Sequence, residues 1–137
     1  MFKQCLYFNL ATLNRQITKI WQDEFAVLGL SPSHGYLLMA MATHPQASQK
    51  ELCEIMELDA STITRFIDTL VAKKLVERQG VGKGGSVALS ENSHESIQKI
   101  QSAAMNLRDK MHSAFGEKKF NSTVNTLHKM RKILQEQ

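Results

Sequence analysis

The sequence has few cysteines, and they are not arranged as metal ligands. Only Cys5 and Cys53 occur among 137 residues, nearly fifty positions apart and without a CxxC or cysteine–histidine spacing. That separation argues against a disulfide framework and against a zinc knuckle. We therefore expect two free thiols and no metal site.

Long apolar runs and targeting signals are also missing. No apolar run approaches the roughly 18 residues of a membrane span, and the first residues lack the layout of a signal peptide. Apolar residues make up 42% and charged residues 22%, close to the globular average. We expect a cytoplasmic protein with one domain over residues 1–137.

The residue patterns that catalysis needs are absent as well. The sequence contains no recognisable nucleophile–base pair or metal-ligand cluster. The glycine-rich run from Gly80 to Gly85 lacks the strand-to-helix context of a phosphate-binding loop. We predict that the chain is not an enzyme and needs no cofactor.

Positive charge is unevenly distributed. The net charge is +4, which suits a polyanion partner without requiring one. Residues 48–89 carry six basic and six acidic groups, whereas residues 99–137 carry eight basic and three acidic groups. DNA binding by the central segment would therefore depend on where Arg65, Arg78 and Lys83 lie.

Apolar periodicity predicts two helices in the first third of the chain. Apolar residues at three- and four-residue steps indicate one long helix over residues 3–28, whose apolar stripe needs a partner. Gly29 ends this helix. Ser31 is the expected N-cap of the next helix, with Pro32 at its first position and its end near Thr43.

Two shorter helices follow. Ser48 and Glu51 have the spacing of a capping box, and the helix behind them is expected to bury Leu52, Cys53, Ile55 and Met56. Asp59 is the expected N-cap of a fourth helix over residues 60–74. The apolar side chains of that helix are Ile63, Phe66, Ile67, Leu70 and Val71.

The remaining segments predict a hairpin and two more helices. Residues 75–78 and 86–89 alternate like strands around the glycine-rich turn. Helical patterns then cover residues 91–115 and the segment after Gly116. The predicted fold is mainly α with a small β-hairpin.

A short helix, a tight turn, a helix with a polar face and a glycine-tipped hairpin are typical of a winged helix-turn-helix. Small hydroxyl side chains allow a helix to approach a DNA groove closely, and arginine can reach phosphate or a guanine edge. The predicted DNA contacts are Ser48, Gln49, Ala60, Ser61, Thr62, Thr64, Arg65, Arg78 and Lys83.

Four stretches of the sequence resemble the MarR family in order and spacing. They are Leu30-Ser31-Pro32-Ser33, Ser48-Gln49-Lys50-Glu51-Leu52, Leu58-Asp59-Ala60-Ser61-Thr62-Ile63-Thr64-Arg65-Phe66-Ile67-Asp68-Thr69-Leu70, and Lys73-Lys74-Leu75-Val76-Glu77-Arg78. The resemblance implies a DNA reader over residues 31–89, flanked by dimerisation helices over 1–29 and 91–137.

It also implies function. MarR-like regulators bind pseudo-palindromic double-stranded DNA as homodimers, usually as repressors, and are released by a phenolic ligand, an oxidant or a metal. Trp21, His34 and Tyr36 would line the ligand cleft between the dimer helices and the reader, although the same residues could equally serve in packing.

Several positions depart from the family pattern. Lys83 is the only charged residue at the wing tip, and Lys74 stands where the family often has glycine. The resemblance to peroxide-sensing relatives makes Cys5 a candidate redox switch, but it lies about two residues closer to the N-terminus than their redox cysteine, which favours an incidental thiol. Gly35 and Tyr36 replace the His/Glu pair of zinc sensors, so the resemblance does not extend to metal sensing.

A second interpretation remains open. The zero net charge of residues 48–89 would also suit a winged helix that binds another protein and binds DNA weakly or not at all.

Overall fold

The computed structural model describes residues 1–80 and 86–137 of the chain. In this part, the helices are α1 (Leu6–Ala26), α2 (Pro32–Thr43), α3 (Gln49–Met56), α4 (Ala60–Ala72), α5 (Ser93–Phe115) and α6 (Glu117–Gln135). Strands β1 (Val76–Gln79) and β2 (Ser86–Leu89) form an antiparallel hairpin between α4 and α5. The predicted mainly α fold with a small hairpin is confirmed. The backbone forms two compact units, residues 1–103 and 104–137.

Three helices begin at the residues that the sequence predicts. Ser31, Ser48 and Asp59 precede α2, α3 and α4, and each side chain accepts a hydrogen bond from the backbone N–H three residues later. Pro32 occupies the first position of α2, where its missing N–H costs no hydrogen bond. These caps satisfy backbone donors that a helix N-terminus would otherwise leave free.

The core of the first unit lies between the helix-turn-helix and its neighbours. Fully buried side chains come from helices α1 to α5 and from β1. They are Phe25, Leu37, Leu38, Leu52, Ile63, Ile67, Leu70, Val76 and Ile100. Close packing of these side chains fixes the position of α4 relative to α2 and α3.

Several expected core residues lie nearer the surface. Ile55, a predicted core residue, is 41% exposed and lies in the last turn of α3. Cys53 and Met56 are half-buried, so Leu52 is the buried residue of α3. In α4, Phe66 and Val71 are also half-buried.

The first helix starts later than predicted, at Leu6 instead of residue 3. The Cys5 N–H donates to the Phe2 carbonyl in a turn. The Asn9 side-chain amide donates to the carbonyls of Lys3 and Cys5, both at 2.8 Å. The Cys5 carbonyl also accepts the Asn9 backbone N–H at 3.1 Å, so regular helical bonding begins there and the residues before it form a turn held by the Asn9 side chain.

The end of α4 explains why both the helix and the following strand are displaced from their predicted bounds. Lys74 has a φ of 62°, in the left-handed region, and ends the helix two residues early. The Leu75 N–H donates to the Leu70 carbonyl at 3.0 Å, as in a Schellman motif. Because Leu75 takes part in this turn, β1 begins at Val76.

Replacing Lys74 with glycine is expected to stabilise the protein. A Cβ in the left-handed region costs about 1–2 kcal/mol, and the extra freedom of glycine in the unfolded chain offsets about 0.5–1 kcal/mol of the gain. The free energy of unfolding, measured by urea denaturation, should rise by about 0.5–1 kcal/mol. Ala72→Gly is the matched control, since glycine within α4 should instead lower it by about 1 kcal/mol. A loss of stability in both variants would contradict the interpretation.

The hairpin is anchored at its base. Val76 pairs with Leu89 and Arg78 pairs with Val87 across the two strands, and Val76 and Val87 are buried. The Ser90 hydroxyl donates to the Lys74 carbonyl at 2.6 Å, which ties the residue after β2 to the end of α4. The two strands of this hairpin, the predicted wing, therefore extend from a fixed base at the end of α4.

The second unit, residues 104–137, contains the end of α5 and all of α6. Gly116, with a φ of 86°, joins the two helices, and the His112 ring meets the Phe120 ring edge-on. No residue of α6 is buried. Val124, Ile133 and Leu134 are exposed on it.

None of the described helices combines the length and apolar character that a membrane crossing requires.

Candidate nucleic-acid interface

Within the predicted reader, helices α3 and α4 are joined by a turn and by a side-chain hydrogen bond. Glu57 adopts a φ of 53° between α3 and α4, which lets the chain reverse direction within three residues, 57–59. The Gln49 side-chain amide donates to the Thr64 hydroxyl at 2.9 Å. The Thr64 hydroxyl in turn donates to the Ala60 carbonyl at 2.8 Å. Gln49 and Thr64 therefore hold α3 against α4.

Asp59 controls the electrostatics at the start of α4. Its carboxylate accepts the Thr62 N–H at 2.7 Å and the Ser61 hydroxyl at 3.0 Å. Hydrogen bonds from Thr62 and then Ser61 lower the pKa of Asp59, and the positive charge of Arg65 adds to this effect. The carboxylate stays ionised at neutral pH, so Arg65 offsets a negative charge on the same face.

The outer face of α4 is small and polar at its first turn. Ala60, Ser61 and Arg65 are exposed, whereas Thr62 and Thr64 are half-buried. Ser48, the N-cap of α3, is exposed too. The small side chains leave room for a groove edge, and Arg65 extends one turn further along the helix.

The structure places Arg78 differently from the other predicted contacts. It lies on β1, and its guanidinium Nη2 is 2.5 Å from Oδ1 of Asp68 on α4. The predicted contact Lys83 lies outside the described residues.

The predicted ligand residues fall into two places. The Trp21 indole N–H on α1 donates to the Tyr36 hydroxyl on α2 at 2.9 Å, and the Phe25 and Tyr36 rings lie 6.1 Å apart. A Cβ added at Gly35 would lie 2.4 Å from Cε1 of Phe25, so the glycine permits this close approach of α1 and α2.

His34 instead contacts α4, which is the recognition helix of the predicted reader. Its ring lies 4.6 Å from the Phe66 ring, and its Nδ1 pairs with the Ser31 hydroxyl. Burial, followed by the positive charge of Lys73, lowers the pKa of His34, which favours the neutral ring at pH 7. His34 is thus a packing contact between α2 and α4.

The two cysteines are free thiols, Cys5 exposed just before α1 and Cys53 half-buried in α3. Within residues 1–80 and 86–137, no group of three or more histidine, cysteine or acidic side chains is placed to hold a metal ion.

Sequence reasoning missed three cross-links that shape the site: Gln49 to Thr64, Arg78 to Asp68, and Ser90 to Lys74. Each joins residues ten to sixteen positions apart on different elements. Helical and strand periodicity report which face a residue is on, not its partner across a turn. The opposite charges of Asp68 and Arg78 were the one sequence signal that bore on such a link.

Comparisons with known proteins agree with this geometry. Residues 28–85 match the family model described as MarR family. No curated protein sequence matches the chain. Similar solved structures include the MepR–DNA complex of Staphylococcus aureus, with a TM-score of 0.85 and 14% identity over 96% of this chain and 99% of that one.

Two further structures are similar over nearly their whole length. BpsR of Bordetella bronchiseptica, whose DNA binding is regulated by 6-hydroxynicotinic acid, has a TM-score of 0.86 and 16% identity, covering 96% of each chain. Staphylococcus aureus MarR in complex with salicylate and kanamycin has a TM-score of 0.82 and 15% identity, covering 100% of this chain and 95% of that one. The helix-turn-helix region of this chain therefore matches the MarR family model, and the chain as a whole shares the fold of these regulators.

Proposed function

We propose that this protein is a cytoplasmic transcriptional regulator of the MarR family that binds double-stranded DNA and represses transcription by occluding a promoter. The observation that carries the proposal is the first turn of α4. There Ala60 and Ser61 present a small, exposed surface beside Arg65, and Gln49 of α3 braces the helix through its hydrogen bond to Thr64. A helix with this surface fits the major groove, and exposed Ser48 lies at the start of the preceding helix.

We further propose that the protein acts as a homodimer on a pseudo-palindromic site. The outward apolar residues of α1 and α6 support this, because exposed apolar stripes on long helices need a partner. They are Leu6, Leu10, Leu13, Ile20, Val124, Ile133 and Leu134. The segments 1–29 and 91–137 are thus proposed as dimerisation helices, and 31–89 as the reader. Two readers would then meet half-sites about one DNA turn apart, roughly 34 Å.

DNA binding is tested by fluorescence anisotropy with genomic DNA that flanks the coding region, at two salt concentrations. Two protomers that each bring Arg65 and Lys83 to phosphate would neutralise about four phosphates. The affinity should then fall about a hundredfold between about 50 and about 200 mM salt. The binding curve should saturate at two chains per site. Weak binding that salt hardly changes would contradict the proposal.

We propose that an aromatic small molecule releases the DNA by acting where α1 and α2 meet. Trp21 and Tyr36 form a hydrogen bond across these helices. His34, two positions before Tyr36 on α2, contacts Phe66 of α4. A ligand that separates Trp21 from Tyr36 therefore acts on α2, and through the contact of His34 with Phe66 on the recognition helix α4. Repeating the anisotropy titration with added salicylate tests this step, and release of the DNA is the expected result.

The alternative function is a protein-interaction module, and one observation favours it. The six acidic groups of residues 48–89 balance the six basic ones, so the reader has no net attraction to a polyanion. Salt-insensitive, weak DNA binding in the same titration would support this alternative.

A further inference from the structure

Arg78 is the basic residue of the hairpin closest to the recognition helix in sequence, and its contact sets it apart from Arg65. Its guanidinium donates to Asp68 of α4 across a 2.5 Å ion pair. The two residues are ten positions apart, on either side of the turn at Lys74. A guanidinium paired in this way is already partly neutralised before any phosphate arrives.

The strand geometry explains why Arg78 meets α4. Side chains two residues apart on a strand point to the same face, so Arg78 shares the face of Val76, which is buried. Arg78 therefore extends the inward-facing row of β1 beyond the buried base of the hairpin. Its cross-strand partner Val87 is buried as well.

The exposure of the pair limits what it can do for folding. The side chains of Arg78 and Asp68 are 42% and 59% exposed, and exposed ion pairs contribute little to global stability. A pair that adds little stability can still select one direction of a hairpin, because it joins β1 directly to α4. Beyond the buried base, Glu77 and Gln79 are both exposed.

We infer that Arg78 is a positioning residue and not a phosphate ligand. Its ion pair with Asp68 fixes the angle between β1, the first strand of the wing, and α4, the recognition helix. The inference deepens the proposed DNA-binding function and rests on it. The electrostatic attraction between the reader and DNA phosphates then depends on cations other than Arg78, chiefly Arg65. The Asp68 carboxylate favours binding although it carries the same sign as DNA.

A double-mutant cycle tests the inference, using Arg78→Met, Asp68→Asn and the combined variant in the full-length protein. DNA affinity is measured by anisotropy over a salt series with the fragment that the unmodified protein binds. If Arg78 positions the wing, each single substitution weakens binding by about three- to tenfold, and the combined variant is no weaker than either. The slope of log affinity against log salt stays unchanged.

A phosphate ligand would behave in the opposite way. Arg78→Met would then reduce the salt slope by about one for each chain that binds, and Asp68→Asn would strengthen binding by releasing the guanidinium. Either result would overturn the inference. Glu77→Gln is the matched control for Asp68→Asn, because it also removes one negative charge, but from the opposite face of β1. It should leave the affinity unchanged or raise it slightly.

Hydrogen exchange separates failure of this inference from failure of the proposed function. The backbone amides of β1 and β2 should exchange faster in both single variants, while the urea midpoint of unfolding stays the same. This readout needs no DNA, so it tests the positioning role even if the unmodified protein binds no DNA. Unchanged exchange in both variants would overturn the inference.

Discussion

Replacing Arg65 with alanine is expected to weaken DNA binding by about 5- to 150-fold, equivalent to about 1–3 kcal/mol. Arg65 is exposed on α4, one turn beyond the small side chains at the start of the helix. Its positive charge also offsets the negative charge of the ionised Asp59 at the start of the helix. If α4 enters the groove as proposed, the substitution removes a contact to DNA and leaves the Asp59 carboxylate uncompensated near the phosphates.

Anisotropy with the fragment that the unmodified protein binds provides the measurement. Arg15→Ala is the matched control, since it removes an exposed arginine from α1, outside the proposed reader, and should leave the affinity within about twofold. Arg65→Lys adds a second comparison. If Arg65 makes two hydrogen bonds to one guanine, lysine in its place will not restore the affinity. If Arg65 contacts only a phosphate, lysine will largely restore it. If the Arg65→Ala protein binds DNA as tightly as the parent, α4 is not the helix that contacts the DNA.

The second large effect is expected from Gly35→Ala, which should lower the free energy of unfolding by about 1–3 kcal/mol. Alanine normally favours a helix over glycine by about 1 kcal/mol, so propensity alone predicts stabilisation. In this protein the new Cβ would lie 2.4 Å from Cε1 and 3.0 Å from Cδ1 of Phe25. The Phe25 ring is fully buried and cannot move aside without disturbing the core. The steric effect therefore outweighs the propensity.

Urea denaturation measures this change, and the sign of the result decides between the two effects. The same substitution in a Phe25→Leu background is the control, because the shorter side chain lacks the ring atoms that the Cβ would meet. There the loss caused by Gly35→Ala should shrink or reverse, although Phe25→Leu lowers stability by itself. A destabilisation of equal size in both backgrounds would mean that the ring contact is not the cause.

Much of the secondary structure could be predicted because its causes are local. Ser31, Ser48 and Asp59 cap helices through backbone groups only three residues away, which is within reach of a sequence pattern. The strand over residues 86–89 follows from alternation, and the break between α5 and α6 follows from Gly116. Element bounds differ from the prediction where a local turn intervenes that periodicity does not report. The left-handed conformation of Lys74 ends α4 early and delays β1, and the turn before Leu6 delays α1.

For the candidate site, the sequence predicts which residues lie on the outer face of α4 better than it predicts what their polar groups bind. Residues on the outer face of α4 were identified by helical periodicity, and the structure leaves Ala60, Ser61 and Arg65 exposed there. DNA contacts of Gln49 and Thr64 stay a prediction, and the structure adds a hydrogen bond between their polar groups that the sequence does not indicate. Which of two polar groups meets DNA and which meets its neighbour depends on distances between elements, and periodicity carries no such information.

The sequence by itself determined the order and approximate bounds of the elements, their caps, the buried face of α4 and the family pattern of the reader. These properties arise from side-chain type and from hydrogen bonds over a few residues. Only the tertiary structure decided that Gly35 admits the Phe25 ring, that His34 packs on Phe66, and that Arg78 pairs with Asp68. Each of those contacts depends on how separate elements pack, and packing brings together atoms that the sequence keeps apart.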